Sequence, residues 1–149
     1  EDDQALLESL LATMALNQAD FTLTFYYLSQ CDSEANEKDA ALREHFVRPE
    51  AIDEWLVRWR RRLSLEPCNH DSGSDNKRQA SMQSINPVYI PRNHQVEAAI
   101  RAAEDHNDFS VFHALYDVLQ KPFERQQGKD DYMLPPKPDE VVEATFCGT

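Results

Sequence analysis

The sequence is short of glycine, cysteine and basic charge, and it has no long apolar run. Its three glycines, Gly73, Gly128 and Gly148, stand alone, so no glycine-rich loop is present to cradle a phosphate. The three cysteines, Cys31, Cys68 and Cys147, are too few and too scattered for a disulfide framework. Their number fits a reducing compartment, and the expected location is the cytoplasm. No apolar stretch approaches the roughly 20 residues that a bilayer span requires, and the first residues do not follow the charged-then-apolar pattern of a leader. Basic residues number 15 against 27 acidic ones, a formal charge of −12. Nucleic acid and anionic membrane both demand Lys and Arg, so neither is expected as a partner. Runs of alternating β-branched residues are also missing, which leaves an all-helical protein as the expectation.

What is present has the length of one ordinary domain, 149 residues, enough to bury roughly two thirds of the unfolded surface. The chain opens on Glu1 without an initiator Met, and the expectation is an excised piece of a longer polypeptide. Leu6, Leu7, Leu10, Leu11 and Met14 have helical spacing behind Asp2 and Asp3, whose charge suits a helix N-terminus. Asp20 is placed to cap a second helix, Phe21 to Gln30. Alternation of Phe21, Leu23 and Phe25 with threonines also fits a strand, but no partner strand is evident. A short helix is expected over Asp39 to Phe46. The next has Pro49 at its first position, a Val47–Ile52 staple, and a stripe of Ile52, Trp55, Leu56, Trp59 and Leu63. Its acidic residues come early and its arginines late, as the helix dipole favours.

Residues 66–77 read as a flexible loop, followed by a brief helix near Asn76 to Gln83. Asn86-Pro87 then breaks the pattern, and 85–92 should be extended. Asn93 is expected to cap a helix bearing Val96, Ala99, Ile100 and Ala103. A turn at 106–108 leads to an antiparallel helix, Phe109 to Gln120. Apolar residues occupy two faces of that helix, implying burial between layers. Asp20-Phe21-Thr22 and Asp108-Phe109-Ser110 share cap chemistry and mark no repeat. The expected fold is an irregular bundle of about six or seven helices, with 1–122 as the helical domain and 123–149 as an extended proline-rich tail.

Few side chains carry chemistry by pattern. Cys68, His70 and Asp71 are close in sequence, but no second ligand pair accompanies them, and no metal site is expected. His94, His106 and His113 have no fixed carboxylate or nucleophile partner, so they read as surface or cap residues. Trp55 and Trp59 sit on the apolar stripe and read as core. Arg58, Arg61 and Arg62 form a possible docking face, weighed against a solvated helix end. Cys147 lies in a tail where packing seldom requires a cysteine.

At Asn86 the chain begins a run, NPVYIPRNHQVEAAIRAA, then DFSVFHALYDVL, then KPF, that resembles the C-terminal signature of the selenoprotein O family. ADFTLTF at residues 19–25, WLVRWRRRL at 55–63 and the terminal FCGT are also similar to that family. Asn86, Pro87, Tyr89, Arg92 and Asn93 carry the pattern, and their expected role is structural. The resemblance implies a parent with a kinase-like fold that transfers AMP from ATP to protein hydroxyls with Mg2+. The family's nucleotide- and metal-binding residues lie in a preceding kinase-like region without counterpart here. By that resemblance the chain holds no catalytic, cofactor or metal residue and packs on the parent's catalytic region. Protein substrates of the parent are its other implied partners. The resemblance also implies a redox role for Cys147. The alternative is a free-standing helical module that binds another protein.

Overall fold

Pro49 fixes the first turn of the helix around which residues 2–66 are arranged, α4 (Pro49–Leu63). Its stripe Ile52, Trp55, Leu56, Trp59 and Leu63 is buried throughout. In the computed structural model, which describes residues 2–66 and 73–142, the helices fall into two compact units, Glu1–Asn86 and Pro87–Thr149. Seven α-helices and no strand occur among the described residues, which settles the ambiguity at Phe21 in favour of helix.

The first unit contains α1 (Asp3–Asn17), α2 (Phe21–Leu28), α3 (Asp39–Arg43), α4 and α5 (Ser74–Gln83). Asp2 caps α1 by accepting from the Gln4 amide, and Asp20 caps α2 by accepting from Leu23. Gln18 ends α1 in the left-handed conformation, with φ 53°. Leu6, Leu10 and Met14 of α1 face α4, while Leu7 and Leu11 on the adjoining side remain exposed. The Trp55 indole N–H donates to the Leu6 carbonyl at 3.0 Å, locking the two helices in register. Trp55 and Trp59 stack with centroids 6.1 Å apart.

Several boundaries differ from the sequence expectation, each for a local reason. The helix expected over 39–46 stops at Arg43, and Phe46 reaches the core from the turn that follows. Val47 is 74% exposed and forms no staple. The entry to α4 is held instead by buried Asn17, whose Oδ1 accepts from the Arg48 amide at 2.9 Å while its Nδ2 donates to the Thr13 carbonyl. Residues 74–77, expected in the loop, already form the first turn of α5.

The second unit begins with an extended stretch and continues into α6 (Asn93–His106) and α7 (Ser110–Leu119). Arg92, with φ −67° and ψ 136°, occupies the cap position expected of Asn93, so α6 begins one residue earlier than expected, directly after Pro91 and its extended neighbour. Asn107 turns the chain in the left-handed conformation, and Asp108 accepts from the Ser110 amide at 2.8 Å. Leu115 and Val118 are buried, but Phe109, Phe112 and Tyr116 are about half exposed. The expected burial of α7 on both faces is therefore met on one. The tail is not extended throughout. Short 3-10 helices form at Asp130–Tyr132 and Pro138–Glu140, and Met133 between them is buried.

Two outcomes follow from the first unit. Asn17→Leu removes the acceptor for the Arg48 amide and should lower stability by about 1–3 kcal/mol, seen as a lower urea midpoint at unchanged slope; an unaltered midpoint would show the bond to be dispensable. Burial pushes the Cys31 thiol up to about 12 from an ordinary 9.0, with Asp39 nearby adding to the effect. Above pH 9 the unfolded chain thus gives up this proton while the folded chain keeps it, so stability declines as pH rises toward 12. At about pH 10 the loss from this group is about 1.4 kcal/mol. Urea titrations of Cys31→Ala should show a shallower alkaline decline than the parent chain, and equal slopes would count against it.

Candidate functional site

Three places merit attention: the signature segment, the arginine run of α4, and the polar seam around α5. Asn86 closes α5 by donating from Nδ2 to the Met82 carbonyl at 2.8 Å. Within the second unit, Pro87 starts an extended run in which the amides of Val88 and Tyr89 both donate to the Pro122 carbonyl, at 2.8 and 3.1 Å. A carbonyl just past the end of α7 is thereby satisfied by the entry to α6. The Tyr89 ring is buried, and its hydroxyl accepts from the Gln126 amide at 2.9 Å. Gln126 in turn donates from Nε2 to the Val118 carbonyl at 2.9 Å. Arg92 is also buried at the start of α6, and Asn93 is exposed in its first turn. Tyr89 thus ties the signature stretch to the segment after α7 through its side-chain hydroxyl.

The arginine run is drawn onto its own unit. Arg58 donates to the Ser9 hydroxyl at 3.0 Å. The Arg62 guanidinium forks onto both carboxylate oxygens of Asp3 and lies 3.5 Å from Glu66. Positions 58 and 62 are one turn apart, so both reach toward α1. Arg62 holds the Asp3 carboxyl below its usual range. Arg60 points the other way, donating to the Asp32 carbonyl and to Asp39 at 2.7 Å, with both side chains largely buried. Arg61 is exposed.

The seam around α5 is what sequence reasoning missed. No residue of α5 is fully buried, and the helix is held by polar contacts instead. Asp75 accepts from the Ser33 amide and hydroxyl and from Arg78. Burial pushes the Asp75 carboxyl up, but the Arg78 and Ser33 hydrogen bonds outweigh it and hold it below its usual range. Arg78 also donates to the Cys31 carbonyl at 2.8 Å and lies over the Trp59 ring, 4.9 Å from its centroid. Gln79 donates to the Gln30 carbonyl and to Asp32. The only sequence signal was the dense run of Asp, Arg and Gln, which has no periodic pattern.

Among the described residues no three His, Cys, Asp or Glu side chains are placed to hold a metal ion. Gly73 and Gly128 have positive φ as turn residues, with no heavy atom within 4 Å of the space a Cβ would take. His106 and His113 are exposed, and His94 is half-buried in the first turn of α6. Cys147, and the Cys68, His70 and Asp71 group, lie outside the described residues. None of the described helices is long and apolar enough to cross a membrane.

The most polar-free feature is a groove in the second unit. Pro91, α6 and α7 line a cavity of about 450 Å³, including Ile100, Phe112 and Tyr116. Phe112 and Tyr116 stack with centroids 6.2 Å apart and leave their outer faces open.

Comparison with known proteins places this geometry in context. The sequence model of the family described as "Protein adenylyltransferase SelO" matches residues 1–120. A protein of Rhodopseudomonas palustris named "Protein nucleotidyltransferase YdiU" is 49% identical over 148 residues, covering 99% of this chain and 29% of its own length. Proteins of the same name from Bradyrhizobium diazoefficiens and Nitrobacter hamburgensis are 46% and 49% identical, covering all of this chain and 29% and 28% of theirs. The chain therefore spans under a third of the relatives it matches. Since the family model covers most of its residues, the chain belongs to the SelO family of protein adenylyltransferases.

Proposed function

We propose that this chain is a non-catalytic helical part of a protein adenylyltransferase, supporting a kinase-like region elsewhere in the same polypeptide. The observation that carries the reading is the match itself: near-half identity along the whole chain to proteins named nucleotidyltransferases, of which it makes up 29%. The chemistry of the described residues agrees. Transfer of AMP from ATP needs donors and a divalent metal clustered at the phosphates. On this reading ATP and Mg2+ are not held by this segment, whose described residues bring no three His, Cys, Asp or Glu side chains together for a metal ion. Both would be held by the remainder of the parent, whose substrates would be protein hydroxyls, in the cytoplasm.

The signature residues support a scaffolding role. Asn86, Pro87 and Tyr89 serve helix closure, chain direction and a buried hydrogen bond, which explains their spacing without invoking substrate. The arginines proposed as a docking face contribute at Arg61, while Arg58 and Arg62 reach α1. Cys147 is proposed as the redox handle of the parent, by the family resemblance of its position.

The test uses the full polypeptide that contains these residues. Incubated with ATP labelled in its α-phosphate, Mg2+ and a protein acceptor, it should transfer label to protein. The 149-residue chain alone should transfer none and should show no saturable ATP binding by calorimetry. Transfer or saturable binding by the short chain would overturn its non-catalytic assignment, and no transfer by the full polypeptide would overturn the enzyme reading.

A further inference from the structure

We propose that α5 is a latch, a helix that docks and undocks as one unit on the end of α2 and the ring of Trp59 while α1 to α4 stay folded beneath it. Apolar burial does not hold it. Its sequence, SDNKRQASMQ, has only Ala80 and Met82 as apolar residues. Ala80 is exposed, and Met82 packs against a core whose buried members all come from α1 to α4 and the turns between them. Lifting α5 away therefore removes no buried core residue. Among the described helices α1 packs closely on α4 and α2 on α3, and α5 has no comparable partner.

A single polar row holds α5 in place. Arg78 donates to the Cys31 carbonyl at 2.8 Å, Gln79 to the Gln30 carbonyl at 2.9 Å and Gln83 to the Ser29 carbonyl at 3.4 Å. These three carbonyls follow directly on Leu28, the last residue of α2, at the negative end of that helix, where a cation is favoured. Asp75 closes the row on Ser33, and Arg78 covers the Trp59 ring. The tie is weak in net terms for two reasons. Water offers the same groups equivalent partners once α5 lifts, so each bond adds little net stability. In addition, Arg78 Nε is buried in the docked state with no hydrogen-bond partner, a cost that undocking removes.

Undocking is all-or-none because the helix cannot stand alone. It has 10 residues, with Ser74, Asp75 and Asn76 in its first turn and Gly73 at the cap position without a side-chain cap. A helix this short and this poor in helix formers does not persist in water. Contacts from Asp75 to Gln83 span its length, so they are lost together. Opening frees the outer face of Trp59 and the three carbonyls at the end of α2, and closing covers them again.

Hydrogen exchange, read residue by residue by fragmentation mass spectrometry on the full polypeptide, tests the latch. Under conditions where exchange reports opening equilibria, the amides of residues 77–84 should share one protection factor, at least about a hundredfold below those of α1 and α4. Their protection should also fall less steeply with urea than that of α4, because undocking exposes less surface than unfolding the unit. Arg78→Ala should speed exchange across all of 77–84 by about tenfold and leave α1 and α4 unchanged. Gln79→Ala should act in the same direction and serves where Arg78→Ala fails to fold. Equal protection in α5 and α4 would overturn the proposal. So would protection that fades residue by residue from the ends of α5, which is fraying and no latch. A variant that speeds exchange in α4 as much as in α5 would make α5 part of the core and overturn it equally.

Discussion

The first unit depends on how α4 grips α1, and that grip is a single buried donor with its ring stack. The Trp55 indole is too large and too apolar to leave in water, yet its N–H needs a partner once buried. The Leu6 carbonyl supplies one at 3.0 Å, in the middle of the α1 face that carries Leu10 and Met14. With that bond fixed, Trp59 one turn later stacks on Trp55 and turns its outer face to Arg78. Arg78 brings α5 with it. A helix with no fully buried residue is thus positioned by a chain of contacts that begins in the core.

The second unit solves a different problem, the closing of a helical hairpin at its open end. Pro122 ends α7, and its carbonyl accepts two amides from the entry to α6. Tyr89 passes beneath this point, and its hydroxyl fixes Gln126, which returns to the Val118 carbonyl of α7. The prolines at 87, 91 and 122 flank the extended entry to α6 and the end of α7, where no helix has to continue through them. Within one short region Asn86 closes α5 and Tyr89 links the entry of α6 to the segment after α7.

Much of this was legible in the sequence because it is local. The α4 stripe, the Asp20 cap and the end of α7 before Pro122 follow from period, cap chemistry and proline geometry, and the structure has each of them, while the cap position of α7 falls on Phe109 and Asp108 accepts from the Ser110 amide beside it. The family likeness was legible too, since fixed Pro, Arg and Asn positions over a long block are specific where single residues are not. Long-range polar partners were not legible. Nothing in the spacing of Asn17 and Arg48, 31 residues apart, announces that one satisfies the other, and this bond took the place of the expected Val47 staple. The α5 seam failed for the same reason, as it is specified by residues 42 to 49 positions away.

The expectation for α7 failed in a more informative way. Two apolar faces on one helix require burial on both sides, because half-exposed Phe109, Phe112 and Tyr116 keep a large apolar area in water without compensation. The pattern argument was sound about what the sequence demands, and the fold of this unit supplies only Leu115 and Val118 with cover. A similar imbalance occurs on α1, where Leu7, Leu11 and Leu16 lie exposed beside a buried face. A helix that is apolar all round is ordinarily an interior helix of something larger. Apolar surface is thus left over in both units, on the α1 side carrying Leu7 and Leu11 and on the α7 side carrying Phe109, Phe112 and Tyr116.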